Sequence, residues 1–350
     1  MRRLACVSLH FFWDRSTRSP QGKPRRTMCR LALTSRLCQK QGMFDVVLSL
    51  IPVFSLIALG ALLRRYKVLS PEGWTSLERL TYFVLFPPLM FMSIVEGKFA
   101  GAEALLLGLT LAATVATMGA LMLLIRPLLA KDGPQFSSVF QAGIRWNGYV
   151  TLGVLAGLYG DEGVALSAVG FATLVPMNNV MSVLVLSRYA SPEPAPLGRV
   201  IRSIATNPLI ISTVGAIILV SIGVRVSEPV GETLNLLGDA TVSLGLICVG
   251  AALDLGSMRA AKRALAAGTI LRLIVMPAVT VGLAFAIGLT GMVFHVAVIC
   301  ASAPVATSAY ILARQLGGDS KLMASIITLT TLLSLITIPA TILLTQMLPI

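Results

Sequence analysis

The side chains best placed for chemistry are polar residues inside long apolar runs. Two clusters interrupt two such runs: Arg145, Asn147 and Gly148 in the first, and Pro304, Thr307 and Ser308 in the second. Proline removes a backbone donor and glycine weakens a helix, so both runs are predicted to break there. Free N–H and C=O groups at such breaks can bind an ion. The alternative is a structural kink, with Arg145 extending towards the cytoplasmic edge.

Three more polar residues lie within apolar runs. Asn178 and Asn179 follow Pro176, and their amides either line a binding site or join helices by hydrogen bonds. Asp239 lies about eight residues from the outer end of its run. It is either a coupling site for H+ or Na+ or a solvated carboxylate at the outer interface.

Groups for catalysis are missing from the sequence. His10 and His295 are the two histidines, so no Ser/His/Asp triad or metal site is expected. The five cysteines have no CxxC spacing, and no phosphate-binding glycine loop is present. We therefore predict a protein that is not an enzyme and that uses no cofactor or metal.

The composition requires lipid as the solvent for most of the chain. Of 350 residues, 56% are apolar and only 12% are charged, with a mean hydropathy of +0.85. The net charge of +13 does not indicate nucleic acid, because residues 1–42 alone carry ten Lys or Arg against Asp14. The sequence therefore predicts an all-α integral membrane protein with the lipid bilayer as its partner and no nucleic-acid partner.

Residues 1–42 form a basic leader that we expect to be disordered or a start-site artefact. Its apolar stretch, residues 4–13, is too short and interrupted for a signal peptide. Met43 directly precedes the first long apolar run and is the expected first residue. An organellar transit peptide is the alternative.

About ten transmembrane spans are predicted from the apolar runs, since each run approaches the length needed to cross a bilayer. They are residues 45–63, 75–95, 103–129, 137–158, 163–187, 203–223, 231–253, 264–288, 293–313 and 322–346.

The two halves of the chain resemble each other at an offset of 156–158 residues. The matching positions are Pro52 with Pro208, Gly160 with Gly318, Ser167 with Ser325, and residues 145–148 with 303–306. Five spans are an odd number, so the second repeat (203–350) is predicted to be inverted relative to the first (43–189). Residues 190–202 form a cytoplasmic linker. Inverted repeats place a site near the membrane midplane.

The same offset matches residues 86–88 of span 2 with residues 244–246 of span 7. Prolines in the first stretch and a glycine in the second predict a pair of helix breaks that wall a cavity. Helix bending alone is the alternative interpretation.

Basic residues predict the orientation of the spans. Fifteen of them, including Arg79 and Arg272, lie near breaks that follow odd-numbered spans, against only Lys98 and Arg225 after even-numbered ones. Cytoplasmic loops carry an excess of Lys and Arg. Both ends of the ten-span body are therefore predicted to face outward from a cell (inner or plasma) membrane.

Four stretches within residues 43–350 together resemble the auxin efflux carrier family of permeases, and bacterial malonate/malate transporters are the most similar members. The stretches are FDVVLSLIPVFSLIALGALLRR, FVLFPPLMF, IRWNGYVTLG and APVATSAYILARQLGGDSKLMASIITLTTLLSLITIP.

The resemblance implies a ten-helix body of two inverted repeats, similar to bile-acid symporters and sodium/proton antiporters, with helices 4 and 9 broken and crossed. Helices 1, 2, 6 and 7 would form a scaffold and a homodimer interface, and the others a moving unit of an elevator cycle. The family motifs fall on the two clusters at 145–148 and 304–308. Many members have a proline shortly after the helix 4 glycine, whereas Val154 follows Gly153 here.

These observations predict a secondary transporter of a small organic anion, a mono- or dicarboxylate. Arg145 would attract the carboxylate, Asn147 would orient it, and the break near Pro304 would supply main-chain groups. A membrane receptor or sensor that uses the same pocket without transport is the alternative.

Overall fold

The computed structural model describes residues 43–96, 101–190, 205–254 and 262–348, together with Gly198 and Arg202. The described residues belong to one compact unit, Gly42–Ile350. They are helical except for connecting turns and one short antiparallel pairing of main chain. The predicted leader, and all of the predicted linker except Ala190, Gly198 and Arg202, lie outside the described residues.

In the first half, the described residues form five helices of ten or more residues, α1 (Met43–Arg65), α2 (Pro71–Val95), α3 (Gly101–Leu124), α4 (Gly133–Ile144) and α5 (Gly148–Tyr189), and the four-residue helix Arg126–Leu129. Polar side chains cap three of them, and Asn147 is the cap of α5. The Ser70 hydroxyl accepts from the N–H of Gly73 in α2, and the Asp132 carboxylate accepts from the N–H of Gln135 in α4. Gly160, with φ +57° and ψ −146°, divides α5 into two helical segments.

In the described residues of the second half, six helices follow: α6 (Pro208–Ser221), α7 (Glu228–Ala251), α8 (Lys262–Ile287), α9 (Gly291–Ser302), α10 (Ser308–Gln315) and α11 (Ser320–Gln346). The Asp319 carboxylate caps α11 by accepting from the N–H of Leu322. Gly288 ends α8 in the left-handed conformation, with φ +84°.

Within the described residues, six helices are long and apolar enough to cross a membrane: α2, α3, α5, α7, α8 and α11. Two shorter apolar helices, α6 and α9, accompany them. The prediction of an all-helical, multi-pass membrane protein is therefore confirmed.

A single π-helical turn precedes a proline in both α2 and α8. Thr81–Leu85 precedes Pro87, and Leu271–Val275 precedes Pro277. At the end of each turn an N–H donates to the carbonyl five residues back, which accommodates a proline that has no N–H to donate.

The predicted break at residues 244–246 is wrong, because α7 runs through them without interruption. Gly245 instead provides room for a neighbouring ring. A Cβ added there would lie 2.1 Å from the Cδ1 of Tyr149. The glycine thus marks close packing between α7 and α5, and the helix keeps its backbone hydrogen bonds.

Helices α1, α2, α6 and α7 pack on one another, chiefly α7 on α1 and on α2, and α6 on α2. The backbones of α1 and α7 touch. A Cβ added to Gly250 would lie 1.8 Å from the carbonyl oxygen of Ile57, and one added to Gly60 would lie 2.0 Å from that of Ile247. Such contacts require glycine on both helices.

Candidate functional site

Two helices are interrupted at the two polar clusters. Helix α4 ends at Ile144 and α5 begins at Gly148, while α9 ends at Ser302 and α10 begins at Ser308. Arg145 and Asn147 have extended main-chain conformations, with ψ of 120° and 102°. Ala303 is also extended, with ψ of 148°.

The two interruptions lie side by side and run antiparallel, with Trp146 paired to Val305. The N–H of Asn147 donates to the carbonyl of Pro304 over 2.8 Å, and the N–H of Ala306 donates to the carbonyl of Arg145 over 3.4 Å. Each break therefore supplies hydrogen-bond partners to the other.

This pairing uses part of the main-chain groups that the break near Pro304 is predicted to offer to a solute, and whether the rest bind one stays a prediction. The carbonyl of Pro304 is already used by Asn147, and the buried N–H of Val305 donates to the Thr330 hydroxyl over 3.3 Å. Buried backbone groups without partners are costly, so the protein pairs them internally. Recognition of a solute at this place then depends more on side chains.

Arg145 links α5 to α10 through its guanidinium. Nη1 donates to the Asn179 amide oxygen over 2.8 Å, and Nη2 donates to the Ser308 hydroxyl over 3.1 Å. Both partners are neutral, so the positive charge is held in place and is not cancelled.

Asn147 caps α5. Its amide oxygen accepts from the N–H of Val150 over 3.3 Å, and its carbonyl accepts from the Thr151 hydroxyl over 3.1 Å. This fixes the amide orientation, with the oxygen towards the helix. Gly148 follows against the Phe171 ring, where an added Cβ would lie 2.5 Å from Cε1.

A cavity of about 560 Å³ opens beside the crossing, within the usual size of small-molecule pockets. Seven residues predicted from the sequence line it: Arg145, Asn147, Gly148, Asn178, Asn179, Thr307 and Ser308. Pro304 lies in the neighbouring main-chain pairing. Asp239 is exposed on α7 and does not line the cavity. That the cavity residues bind a substrate stays a prediction.

Aromatic rings form one wall of this cavity. Phe86 stacks on Tyr149 at 5.1 Å between ring centroids and meets Phe171 edge-on at 5.0 Å. Trp146 lies 4.7 Å from Phe171 in a tilted arrangement. Contacting rings of this kind form a stable apolar surface. The cavity therefore combines a fixed cation with an aromatic wall.

Glu78 is a cavity residue that the sequence analysis missed. One of its carboxylate oxygens accepts from the Thr307 hydroxyl over 3.1 Å, and Arg79 and Tyr82 line the cavity beside it. The apolar run predicts that span 2 begins at residue 75, which places Glu78 close to its start. The pair Ser70-Pro71 is a helix-start signal that would have extended the span and drawn attention to Glu78.

Arg272 is a second residue whose contacts the sequence did not indicate. It was counted among the basic residues on the cytoplasmic side, yet its side chain is fully buried. Nε donates to the Ala303 carbonyl over 2.6 Å and Nη2 to the Cys300 carbonyl over 3.2 Å. It therefore pairs the carbonyl end of α9, where a cation is favourable.

Metal binding finds no support in the described ranges, where no three His, Cys, Asp or Glu side chains are grouped to hold an ion.

The fold is that of a helical protein with several helices long and apolar enough to cross a membrane. The model of the family described as "Membrane transport protein" matches residues 45–342. The chain therefore belongs to this family, the auxin efflux carrier family that its motifs resemble.

Two relatives have similar lengths. An uncharacterized transporter of Methanothermobacter thermautotrophicus is 28% identical over 302 residues, which cover 85% of this chain and 97% of that protein. An uncharacterized transporter of Methanocaldococcus jannaschii is 25% identical over 304 residues, which cover 84% of this chain and 96% of that protein.

Proposed function

We propose that the protein is a secondary transporter that moves a small organic anion, a mono- or dicarboxylate of the malonate, malate or auxin kind. The observation that carries the proposal is Arg145, a cation held by two neutral groups at the wall of a cavity of about 560 Å³. A guanidinium binds carboxylates through paired, charge-assisted hydrogen bonds. A carboxylate would complete the charge balance of Arg145.

Two helix ends strengthen this recognition. Helix α5 begins beside Asn147, and α10 begins at Ser308. Helix N-termini carry partial positive charge, which favours an anion nearby. Asn147 orients the carboxylate in this proposal, and Asn178 and Asn179 complete the polar side of the cavity.

Alternating access would come from motion between two groups of helices. One group, α1, α2, α6 and α7, packs on itself through close glycine contacts. The other contains both interruptions, which are hydrogen-bonded to each other. These contacts support an elevator cycle in which the joined interruptions carry the substrate past the first group, which also offers a homodimer interface.

We further propose ten membrane crossings in two inverted repeats. Matching helix bounds support this: α4 and α9 start at Gly133 and Gly291 and end at Ile144 and Ser302. The body would lie in the inner or plasma membrane with both ends outward. Transport would be coupled to H+ or Na+, and Asp239 is the candidate coupling residue from the sequence.

The test is uptake by the purified chain in proteoliposomes. Labelled malonate, malate and indole-3-acetate are supplied with a proton or sodium gradient, and empty liposomes are the control. Uptake above the control for at least one carboxylate is expected. Carboxylate binding without any flux would contradict transport and favour the sensor alternative.

A further inference from the structure

The cavity contains two opposite charges that do not neutralise each other. Arg145 is anchored by Asn179 and Ser308, and Glu78 accepts a hydrogen bond from Thr307. All five side chains line the same cavity. No ion pair joins Arg145 to Glu78 in the part of the chain that the structure describes. A cation and an anion are therefore both offered to a ligand.

The anchors set the spacing between these charges. Thr307 and Ser308 are consecutive residues at the start of α10, and consecutive Cα atoms are about 3.8 Å apart. Each anchor holds its charged partner at 3.1 Å. Because the two anchors are neighbours in the chain and both charges line one cavity, we infer that a single small zwitterion, such as an α-amino acid, can meet both.

Glu78 disfavours two other kinds of ligand. A second carboxylate, as in malonate, would face the like charge of Glu78. A plain monocarboxylate would satisfy Arg145 and leave Glu78 without a cationic partner once the cavity is closed. Buried charges need partners, so both ligands leave the site with an uncompensated group.

The aromatic wall indicates the rest of the ligand. Phe86, Trp146, Tyr149 and Phe171 line the same cavity as the two charges. Aromatic surfaces bind large apolar or aromatic groups, and they also favour a nearby ammonium. The volume of about 560 Å³ leaves room for such a side chain.

We propose that the preferred substrate is a zwitterionic α-amino acid with a large apolar or aromatic side chain. Its carboxylate binds Arg145, its ammonium binds Glu78, and its side chain contacts the aromatic wall. The inference rests on the proposed function, since it concerns the same cavity and keeps the carboxylate contact with Arg145, but its substrate carries an ammonium as well and is therefore a zwitterion with no net charge.

Four probes separate the features of this ligand. Phenylalanine has all three, 3-phenylpropanoate lacks the ammonium, 2-phenylethylamine lacks the carboxylate, and malonate replaces the ammonium by a second carboxylate. Binding to the purified full chain and counterflow in proteoliposomes are measured for each. The affinity for phenylalanine is expected to exceed that for each of the other three probes by about tenfold or more, since each of them loses a charged contact.

A Glu78→Gln variant tests the assigned contact. It is expected to weaken phenylalanine binding by about tenfold or more and to leave 3-phenylpropanoate binding unchanged or tighter. Glu232→Gln, at an exposed position of α7 outside the cavity, is the matched control and is expected to match wild type for both probes.

The wild-type probe series alone decides the inference if Glu78→Gln does not fold. Malonate or 3-phenylpropanoate binding as tightly as phenylalanine, or no phenylalanine binding at millimolar concentration, would overturn it. Flux of those carboxylates would at the same time support the proposed function. Lack of flux for every carboxylate would contradict the proposed function itself.

Discussion

The main-chain N–H of Asn147 donates a 2.8 Å hydrogen bond to the carbonyl oxygen of Pro304. This bond joins the helix break in the first half of the chain to the helix break in the second half. The bond keeps both breaks extended and holds Arg145 and Ser308 at the same cavity. The geometry of the candidate site therefore depends on contacts between the halves as well as on each half alone.

Asn147 caps a helix and is also proposed to orient the substrate, and variants of this residue test the two roles. Asn147→Asp keeps an oxygen for the N–H of Val150, but the residue is only 2% exposed, so burying a carboxylate there should lower the free energy of unfolding. A negative charge beside Arg145 should lower carboxylate uptake by about tenfold or more. Uptake and thermal unfolding in detergent are the measurements.

The matched control for this cap is Asp132, which caps α4 outside the cavity. Asp132→Ala and Asn147→Ala should each cost about 1 kcal/mol of stability. Only Asn147→Ala should weaken substrate binding. Equal binding by the two alanine variants would argue against a role of Asn147 in recognition.

Arg272 should stabilise the carbonyl end of α9. Arg272→Met leaves the carbonyls of Cys300 and Ala303 without this donor, at a cost of about 1–3 kcal/mol for each buried group. Arg272→Lys should lose less stability than Arg272→Met but remain less stable than wild type, because an ammonium can donate but does not present the planar fork of a guanidinium. Thermal unfolding is the measurement, and the exposed Arg314→Met is the control. A loss no larger than that of Arg314→Met would refute the assignment.

Thr330 should hold the second break in place. Its hydroxyl accepts from the buried N–H of Val305, so Thr330→Val should cost about 1–3 kcal/mol. Thr280 is equally buried, but its hydroxyl donates only to the Met276 carbonyl of its own helix. Thr280→Val should therefore be nearly neutral. The two variants are compared by thermal unfolding, and indistinguishable midpoints would contradict the predicted difference.

Gly245 should determine where the Tyr149 ring lies in the aromatic wall. Gly245→Ala places a Cβ within 2.1 Å of the Tyr149 ring and forces it to move, so substrate affinity should fall severalfold. Gly282→Ala, in open space on α8, should keep affinity and gain about 0.5–1 kcal/mol of stability. Binding of the transported carboxylate checks both. Unchanged affinity in Gly245→Ala would show that the wall does not shape the site.

Local signals in the sequence were enough to find the two breaks. Glycine, proline and polar residues inside apolar runs act on their own helix, so their effect needs no knowledge of the fold. The cavity residues Arg145, Asn147, Thr307 and Ser308 followed from this alone.

Contacts between elements that are far apart in the chain could not be predicted from the sequence. Arg272 lies in predicted span 8, among the basic residues assigned to the cytoplasmic side, and nothing local shows that its long side chain turns towards α9. Glu78 reaches Thr307 across the fold, and the pairing of Trp146 with Val305 depends on how the halves dock. Such contacts are fixed by tertiary packing, which a single sequence does not display.

Counterflow by the Arg145→Gln variant tests the central claim most directly. The substrate is whichever of malonate, indole-3-acetate and phenylalanine the wild-type protein exchanges fastest, and Arg314→Gln is the control. We expect Arg145→Gln to remain folded by thermal unfolding but to lose most exchange, while Arg314→Gln exchanges like wild type. Exchange by Arg145→Gln at the wild-type rate would show that the crossing of the two broken helices is not the substrate site.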